Sequence, residues 1–429
     1  METFLTILRR MIPKRFFQLF QPRYHRALAL LGAIRYNFPS GKLCVIAVTG
    51  TKGKSTVTEL IASILEEAGY TVALSNTIRF KVGDSSEPNL YKMSMPGRFF
   101  MQRLLAQAVQ AGCTHAVIEM TSEGARMHRH AHIELDALVF TNLSPEHIES
   151  HGSFEAYRDA KLLLRDALIT SHKQKRVVVA NKDDAHGALF LEVPEDVERR
   201  PYSLKQADPH NENERGVLLT FEGVSIYSPL VGLFNVYNIL AAATLARTLG
   251  ITPEVIKRGV EKQILVKGRV EKVDEGQHFF AVVDYAHTAD SLEKLYTAFK
   301  HERKICVLGS CGGGRDAWKR PEMAKVAERY CDEIILTNED PYDEDPEKIV
   351  RDMVRGIEKK KPTIIMNRRL AIRRAFEIAR PHDAVLVTGK GTDPYIMGRN
   401  GSKTPWSDEQ VMREELRALL SRSATRAKK

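Results

Sequence analysis

A lysine flanked by glycine and hydroxyl residues follows an apolar run near the start of the chain. The stretch Gly50-Thr51-Lys52-Gly53-Lys54-Ser55-Thr56 comes after Leu43-Cys44-Val45-Ile46-Ala47-Val48, which is short and β-branched enough to be a buried strand. Beyond it, Leu60, Ile61, Ile64, Leu65 and Ala68 fall on one stripe of a helix predicted over Val57 to Ala68. Strand, glycine-rich turn and helix are the setting of a phosphate-binding loop. Backbone N–H groups and the positive helix end take the phosphates, Lys54 reaches the β/γ oxygens, and the Ser55 hydroxyl can hold Mg²⁺. The spacing is the short G-T-x-G-K-[ST]-T form, because Val48 stands where the longer form has its first glycine. An ordinary glycine-rich turn is the competing reading.

Glu119 ends a strand predicted over 115–120. Ligands gather at the carboxyl ends of strands in open α/β sheets, so Glu119 could hold Mg²⁺ beside a nucleotide, or simply face solvent. Asn142, His147 and His151 follow a strand predicted over 135–141. His147 and His151 have a zinc-like spacing but lie outside an H-E-x-x-H pattern, and a lone histidine is more often structural. Lys161 is, by itself, a lysine on a helix predicted over Phe154–Leu168. In the second half, Asp284-Tyr285-Ala286-His287, Gly309 to Gly314 with Arg315 and Asp316, and Gly389-Lys390-Gly391-Thr392-Asp393 each close an apolar run. Glycines there let backbone approach a phosphate or a carboxylate.

The elements that must position these residues form an α/β pattern. The chain has 429 residues, enough for two or three domains, and its 43% hydrophobic and 28% charged residues suit a soluble globular protein. From 43 to about 262, strands at 43–48, 71–75, 115–120, 135–141 and 176–180 alternate with helices, which implies a mostly parallel sheet. Residues 191–216 are polar and proline-bearing and are predicted to be an exposed excursion. From about 268 a second, Rossmann-like alternation begins, with strands at 279–283, 304–308, 333–336, 363–366 and 384–388. A last helix, Asp408–Leu420, is capped by Ser407, and the tail after Ser421 is expected to be disordered. The predicted division is a short N-terminal helical segment (1–40), a central P-loop domain (41–264), a C-terminal domain (265–421) and a basic tail (422–429).

The formal charge of +10 suits anionic substrates, nucleic acid or an anionic membrane. The aromatic-basic interleaving of an RNA-binding sheet is missing, so no nucleic-acid partner is expected. Five scattered cysteines point to a reducing compartment without a disulfide framework, and Cys306 and Cys311 lack the second pair a zinc site needs. Residues 1–40 are either a helical pair packed on the body or an interfacial helix, with residues 1–21 touching an anionic membrane. They show neither a secretory signal nor a run long enough to span a bilayer.

Together these stretches resemble the Mur ligase family, most closely its MurE type, the UDP-N-acetylmuramoyl-dipeptide:amino-acid ligases. The match runs from about Leu43 to Leu420. It is carried by Thr49–Thr56, Glu119-Met120-Thr121-Ser122, Phe140-Thr141-Asn142-Leu143, His147, His151-Gly152 and Glu155–Lys161. It continues through Asn181-Lys182-Asp183-Asp184, Gly232 to Asn238, Gly268-Arg269-Val270-Glu271, Asp284 to Thr288, Gly312 to Asp316, Lys319-Arg320-Pro321 and Gly389-Lys390-Gly391. The related folylpolyglutamate synthetases usually carry D-G-A-H-N-P where this chain has Asp284-Tyr285-Ala286-His287-Thr288-Ala289.

The resemblance implies a cytoplasmic, monomeric, ATP- and Mg²⁺-dependent ligase of peptidoglycan precursor synthesis. A carboxylate of a UDP-MurNAc-peptide-like acceptor would become an acyl phosphate and then an amide of the incoming amino acid. Catalytic roles fall on Lys54, Glu119, His147 and Lys161. Ser55 and Glu119 would bind one metal ion, and His147 another near a carboxylated Lys161. Gly50, Thr51, Lys52, Gly53, Lys54, Ser55 and Thr56 would hold the phosphates, Asn235 and Asn238 the adenine, Asp284 the ribose, and Arg269 the phosphates; His287 lies in the same motif. Thr121 and Arg129 match positions that contact the nucleotide-sugar peptide; Ser94, in Ser94-Met95-Pro96 where T-T-P is usual, and Arg315, Asp340, Gly389 and Asp393 are further expected substrate-binding residues. Asp340 and Asp393 stand in place of the D-N-P-R and H-E residues that read diaminopimelate, and are expected to receive an amino group such as lysine's. The chain before the loop is too short for the UDP-binding domain of MurE-type ligases, so the acceptor is expected to be gripped differently, or even to be lipid-linked. A ligase with another acceptor and a non-catalytic ATP-binding partner are the alternatives.

Overall fold

The computed structural model describes residues 14–300, 302–314 and 316–427, with side chains from residue 24 to 422. The expected membrane-contacting start therefore lies largely outside the described residues. The chain forms two compact units. One comprises Met1–Leu143, Glu155–Ser203 and Ala241–Thr252, and the other Ser144–Phe154, Leu204–Leu240 and Pro253–Lys429. No described helix is long and apolar enough to cross a membrane.

The first unit is built on β1 (Cys44–Thr49), β2 (Val72–Ser75), β3 (Arg79–Val82), β4 (Ser85–Pro88), β5 (His115–Glu119), β6 (Ala137–Phe140), β7 (Val177–Asn181) and β8 (Glu198–Tyr202). They form one sheet in the order β4-β3-β2-β5-β1-β6-β7-β8. Every pairing is parallel except β2 with β3 and β3 with β4, so β3 alone runs against the others. Val45, Val117, Leu138 and Val178 are at most 1% exposed, as strands covered on both faces require. The chain leaves β1 toward β2 on one side and later returns to lay β6 on the other, so a crevice opens at the carboxyl ends of β5, β1 and β6. Register places Val48 beside Glu119, and Thr49 beside Phe140. The candidate residues Gly50, Glu119 and Thr141-Asn142 follow from those three ends.

The second unit carries a small antiparallel sheet of β9 (His210–Asn213), β10 (Gly216–Phe221) and β11 (Val224–Ser228). Glu222 and Gly223, both with positive φ, make the two-residue turn between β10 and β11 that matches strand twist. Its main sheet joins β12 (Glu271–Lys272), β13 (Phe280–Asp284), β14 (Lys304–Leu308), β15 (Glu333–Leu336), β16 (Thr363–Ile364) and β17 (Ala384–Thr388) in the order β12-β13-β17-β14-β15-β16. The period of two divides its residues cleanly. Val282, Cys306, Leu308, Leu336 and Leu386 enter one core, and Val283, Ile305, Val307, Val385 and Val387 the other. A short hairpin of β18 (Tyr395–Met397) and β19 (Lys403–Pro405) follows. The helix Asp408–Ala427 is anchored at its start by a buried ion pair. Arg368 Nε and Nη2 donate to Asp408 Oδ1 and Oδ2 at 2.8 and 2.6 Å, and Trp406 Nε1 donates to Asp408 Oδ1 at 2.7 Å.

Three expectations are corrected. Residues 191–216 are not an excursion: β8 extends the large sheet and β9 starts the small one. Their polar composition is that of edge strands, which keep one side toward water. The last helix does not stop at Leu420 but runs on through Ala427. Cys306 and Cys331 are joined in a disulfide with Cα atoms 6.1 Å apart. A sequence separation of 25 hid the pairing, because only the parallel alignment of β14 with β15 brings the two together.

Candidate active site

The turn after β1 is shaped for close approach. Gly50 has φ +145°, and a Cβ there would meet Thr141 Oγ1 at 2.0 Å, so no side chain fits. Gly53, at φ +85°, ends the turn, and the helix Lys54–Glu67 begins without a side-chain cap. Its first N–H groups and the positive end of its dipole are thus left for an anion. The segment after β6 braces the loop. Thr51 N donates to Asn142 O at 2.8 Å and Lys52 N to Asn142 Oδ1 at 3.0 Å, while Thr141 Oγ1 and Asn142 Nδ2 donate to Lys52 O at 2.7 and 3.0 Å. Lys54 Nζ folds back onto Gly50 O at 3.1 Å and Thr51 O at 2.8 Å. These acceptors are neutral carbonyls, which the charged oxygens of a phosphate can replace.

Glu119 does not face solvent. It is 3% exposed and accepts from Ser55 Oγ at 2.8 Å, Thr77 N at 3.0 Å and Thr77 Oγ1 at 2.9 Å. A carboxylate so buried needs such donors. A hydroxyl and a carboxylate side by side are hard oxygen ligands of the kind Mg²⁺ takes, so the donor set fits that ion. Lys161 is 1% exposed. Its Nζ donates to Gly50 O at 2.7 Å and lies 4.8 Å from the centroid of the Tyr157 ring, whose hydroxyl meets Thr51 Oγ1 at 3.0 Å. The lysine that looks like a surface residue in sequence is part of the loop's support.

The acceptor candidates of this unit are also placed. Ser94 is buried with its carbonyl accepting from Ser75 Oγ at 2.9 Å, and its own Oγ has no partner among the described residues. Thr121 caps the helix Ser122–Arg126 by accepting from Gly124 N at 3.1 Å. Arg129 Nη1 donates to Met95 O at 2.5 Å.

In the other unit, His147 has φ +58° and its N–H donates to Asp316 Oδ2 at 2.8 Å. His287 lies between Glu146 Oε1 at 2.8 Å and Tyr285 O at 2.6 Å. Asn235 Nδ2 donates to Val231 O at 2.8 Å and Asn238 Nδ2 to Asn235 Oδ1 at 2.9 Å. Asp284 accepts from Val270 N at 2.7 Å and Ala286 N at 2.6 Å, so it fixes the turn that bears Arg269. The Arg269 guanidinium lies 4.4 Å from the Tyr285 ring centroid. Arg315 lies outside the described residues.

Asp340 and Asp393, the expected receivers of an amino group, both face a buried lysine. Lys390, fully buried, places Nζ 2.7 Å from Asp340 Oδ1 and 3.5 Å from Asp393 Oδ2. A buried ammonium requires those counter-charges, so both carboxylates are committed inside the chain. The neighbour Glu339 differs. It is 2% exposed and accepts from Cys311 Sγ at 2.9 Å, but its Oε2 has no hydrogen-bond partner, nor do Ser310 Oγ and Thr392 Oγ1, among the described residues. Gly389, at φ +106°, allows the approach: a Cβ there would meet Glu339 Oε2 at 2.4 Å. These polar atoms follow β14, β15 and β17 at their carboxyl ends, where α/β sheets take ligands. Glu339 was missed in sequence; its signal was a place at the end of β15, beside the chosen Asp340.

Residues 48–246 match the Mur ligase middle domain, and residues 268–391 match the Mur ligase glutamate ligase domain. The chain is 35% identical over 414 residues to a UDP-N-acetylmuramoyl-L-alanyl-D-glutamate–2,6-diaminopimelate ligase of Syntrophomonas wolfei, covering 93% of this chain and 83% of that protein. It is 36% identical over 425 residues to a UDP-N-acetylmuramyl-tripeptide synthetase of a Roseiflexus species, again covering 93% and 83%. A solved diaminopimelate ligase of the first kind superposes with a TM-score of 0.60 at 31% identity, covering 88% of this chain and 79% of that one.

Proposed function

The chain belongs to the Mur ligase family, and from that premise we propose that it joins an amino acid to the carboxylate of a UDP-MurNAc-peptide-like acceptor, with ATP split to ADP and phosphate. The observation that carries this reading is the meeting of Ser55, Glu119 and Lys161 around an uncapped phosphate loop. The acceptor carboxylate attacks the terminal phosphorus, the bond to ADP breaks, and an acyl phosphate forms. The incoming amine then attacks the acyl carbon, phosphate leaves, and the amine gives up a proton.

Each step brings anions together, so the chain's task is positioning and charge neutralisation. Lys54 leaves its carbonyl contacts for the β/γ oxygens, and the loop N–H groups hold them still. Ser55 and Glu119 would hold Mg²⁺, which supplies neutralisation of the phosphate charge. Lys161 as a carbamate would supply a further oxygen ligand. Asn235, Asn238, Asp284 and Arg269 serve the nucleotide, and Ser94, Thr121 and Arg129 the acceptor. The enzyme works as a monomer in the cytoplasm.

Glu339, rather than Asp340 or Asp393, receives the ammonium of the amino acid, because its Oε2 has no partner among the described residues. Replacing it by glutamine keeps the shape and removes the charge. The KM for the amino acid is then expected to rise at least tenfold with the KM for ATP unchanged, since a charged hydrogen bond is worth about 1.5–3 kcal/mol. Steady-state kinetics check this, and an unchanged amino-acid KM rejects the assignment.

The function itself is tested by phosphate release with ATP, Mg²⁺, UDP-MurNAc-dipeptide and each amino acid in turn. One amino acid is expected to give turnover in the common range of about 1–10³ per second. ATP binding without turnover on any acceptor would overturn the reading.

A further inference from the structure

The first unit holds a second cationic centre, apart from the phosphate loop in sequence. Arg98 is the first residue of the helix Arg98–Gln110, which has no side-chain cap. Its Nη2 donates to Met127 O, while its Nε is buried without a partner among the described residues. Arg129 comes from the next turn of chain and donates to Met95 O. On either side of Arg129 in the chain, His128 and His130 have ring centroids 6.2 Å apart. His130 is 8% exposed, and its Nδ1 has no partner among the described residues. The N-terminal helix Lys14–Arg35 packs against the Arg98 helix at Gly32, where a Cβ would lie 3.7 Å from Arg98 O, and contributes the exposed Arg26. None of Arg26, Arg98 and Arg129 forms an ion pair among the described residues, and the nearby Glu123 is already paired with Arg126.

Such a group repels itself. Burial, reinforced by the charge of Arg129, pushes the Arg98 guanidinium down to about 10. Burial, followed by the charges of His128 and Arg26, pushes the His130 imidazole down to about 4. Burial first, then Arg26 and Arg98, also lowers His128. Orphaned buried donors, an uncapped helix start and guanidinium groups without carboxylates are what an anion completes. A single carboxylate would neutralise only one of these charges, whereas a diphosphate offers several oxygens and more than one negative charge.

We propose that Arg26, Arg98, His128, Arg129 and His130 form a binding site for a diphosphate ester, which grips the acceptor by the diphosphate that carries its sugar. The identity of the bearer rests on the ligase reading; the affinity for diphosphate does not. The N-terminal helix is thereby part of the acceptor site.

The test is calorimetry of inorganic pyrophosphate with the full-length protein, its phosphate loop filled by a non-hydrolysable ATP analogue. One further pyrophosphate is expected to bind. Arg98→Gln and the surface variant Arg26→Gln are each expected to weaken it at least tenfold, and Arg98→Lys to weaken it less than Arg98→Gln. UDP and a lipid-linked diphosphate in detergent then identify the bearer: the one that competes with pyrophosphate carries the group. No second binding event, or wild-type affinity in either glutamine variant, overturns the site. In ligation assays Arg26→Gln is expected to raise the acceptor KM at least tenfold with kcat held. An active enzyme with unchanged acceptor KM removes the proposal and leaves the ligase reading intact. An inactive wild type that still binds pyrophosphate through Arg26 and Arg98 removes the ligase reading alone.

Discussion

Replacing Lys161 by alanine is expected to lower kcat for ligation about a hundred- to a thousandfold, in line with the loss of one preorganised electrostatic group. ATP affinity should change little, because the loop N–H groups and Lys54 remain. Lys161 Nζ is buried 2.7 Å from Gly50 O, at the hinge between β1 and the phosphate loop. As an ammonium it adds a positive charge that is already provided by Lys54. As a carbamate it keeps one N–H for Gly50 O and presents an anion able to ligate metal. Formate or acetate should therefore restore part of the activity of Lys161→Ala, and Lys161→Glu should outperform it. Labelled bicarbonate should give a carbamate carbon resonance in the wild type only. Full activity of Lys161→Ala would remove the role; loss of activity without rescue would leave Lys161 as a support of the loop.

The largest effect on stability is expected from Asp408→Ala. The Arg368 and Asp408 side chains are 1% and 0% exposed. Burial alone would lower the Arg368 guanidinium, but the charge of Asp408 and their hydrogen bonds leave it raised. Removing the carboxylate leaves a buried cation and the Trp406 indole N–H without their acceptor. Breaking a buried pair of this kind costs about 3–5 kcal/mol. At about 2–4 °C per kcal/mol for a unit of this size, the second unit should melt roughly 10 °C lower. Differential scanning calorimetry checks the shift. Arg368→Met combined with Asp408→Leu should recover most of it, since no charge is then stranded. A shift under about 2 °C for Asp408→Ala would mean that water reaches the pair.

What could be read from sequence was what is local in the chain. The phosphate loop was legible because strand, turn and helix are contiguous from Leu43 to Glu67. Strands β13 to β17 were legible because each is a short apolar run between polar turns, whereas the two-residue charged β12 was not. Long-range partners were not. Thr141 and Asn142 brace Lys52 only because β6 lies next to β1, and Tyr157 reaches Thr51 across 106 positions. The contrast between Asp340 and Glu339 was hidden for a related reason. Neighbours in a turn point to different sides, and the fully buried Lys390 decides which carboxylate is consumed. The edge strand β8 escaped because its Glu198, Arg199 and Arg200 are exposed and carry no apolar alternation.

The helix Leu233–Thr248 has one consequence for dissecting the gene. Its residues up to Leu240 cluster with the second unit, and those from Ala241 with the first. A fragment begun at residue 265 would retain β13 to β17 yet leave behind Ser144–Phe154, the segment that gives His287 its Glu146 and Asp316 its two amide donors. Expressed separately, the halves should behave as incomplete pieces that need each other to refold, and limited proteolysis should yield nicked protein rather than two independently stable modules.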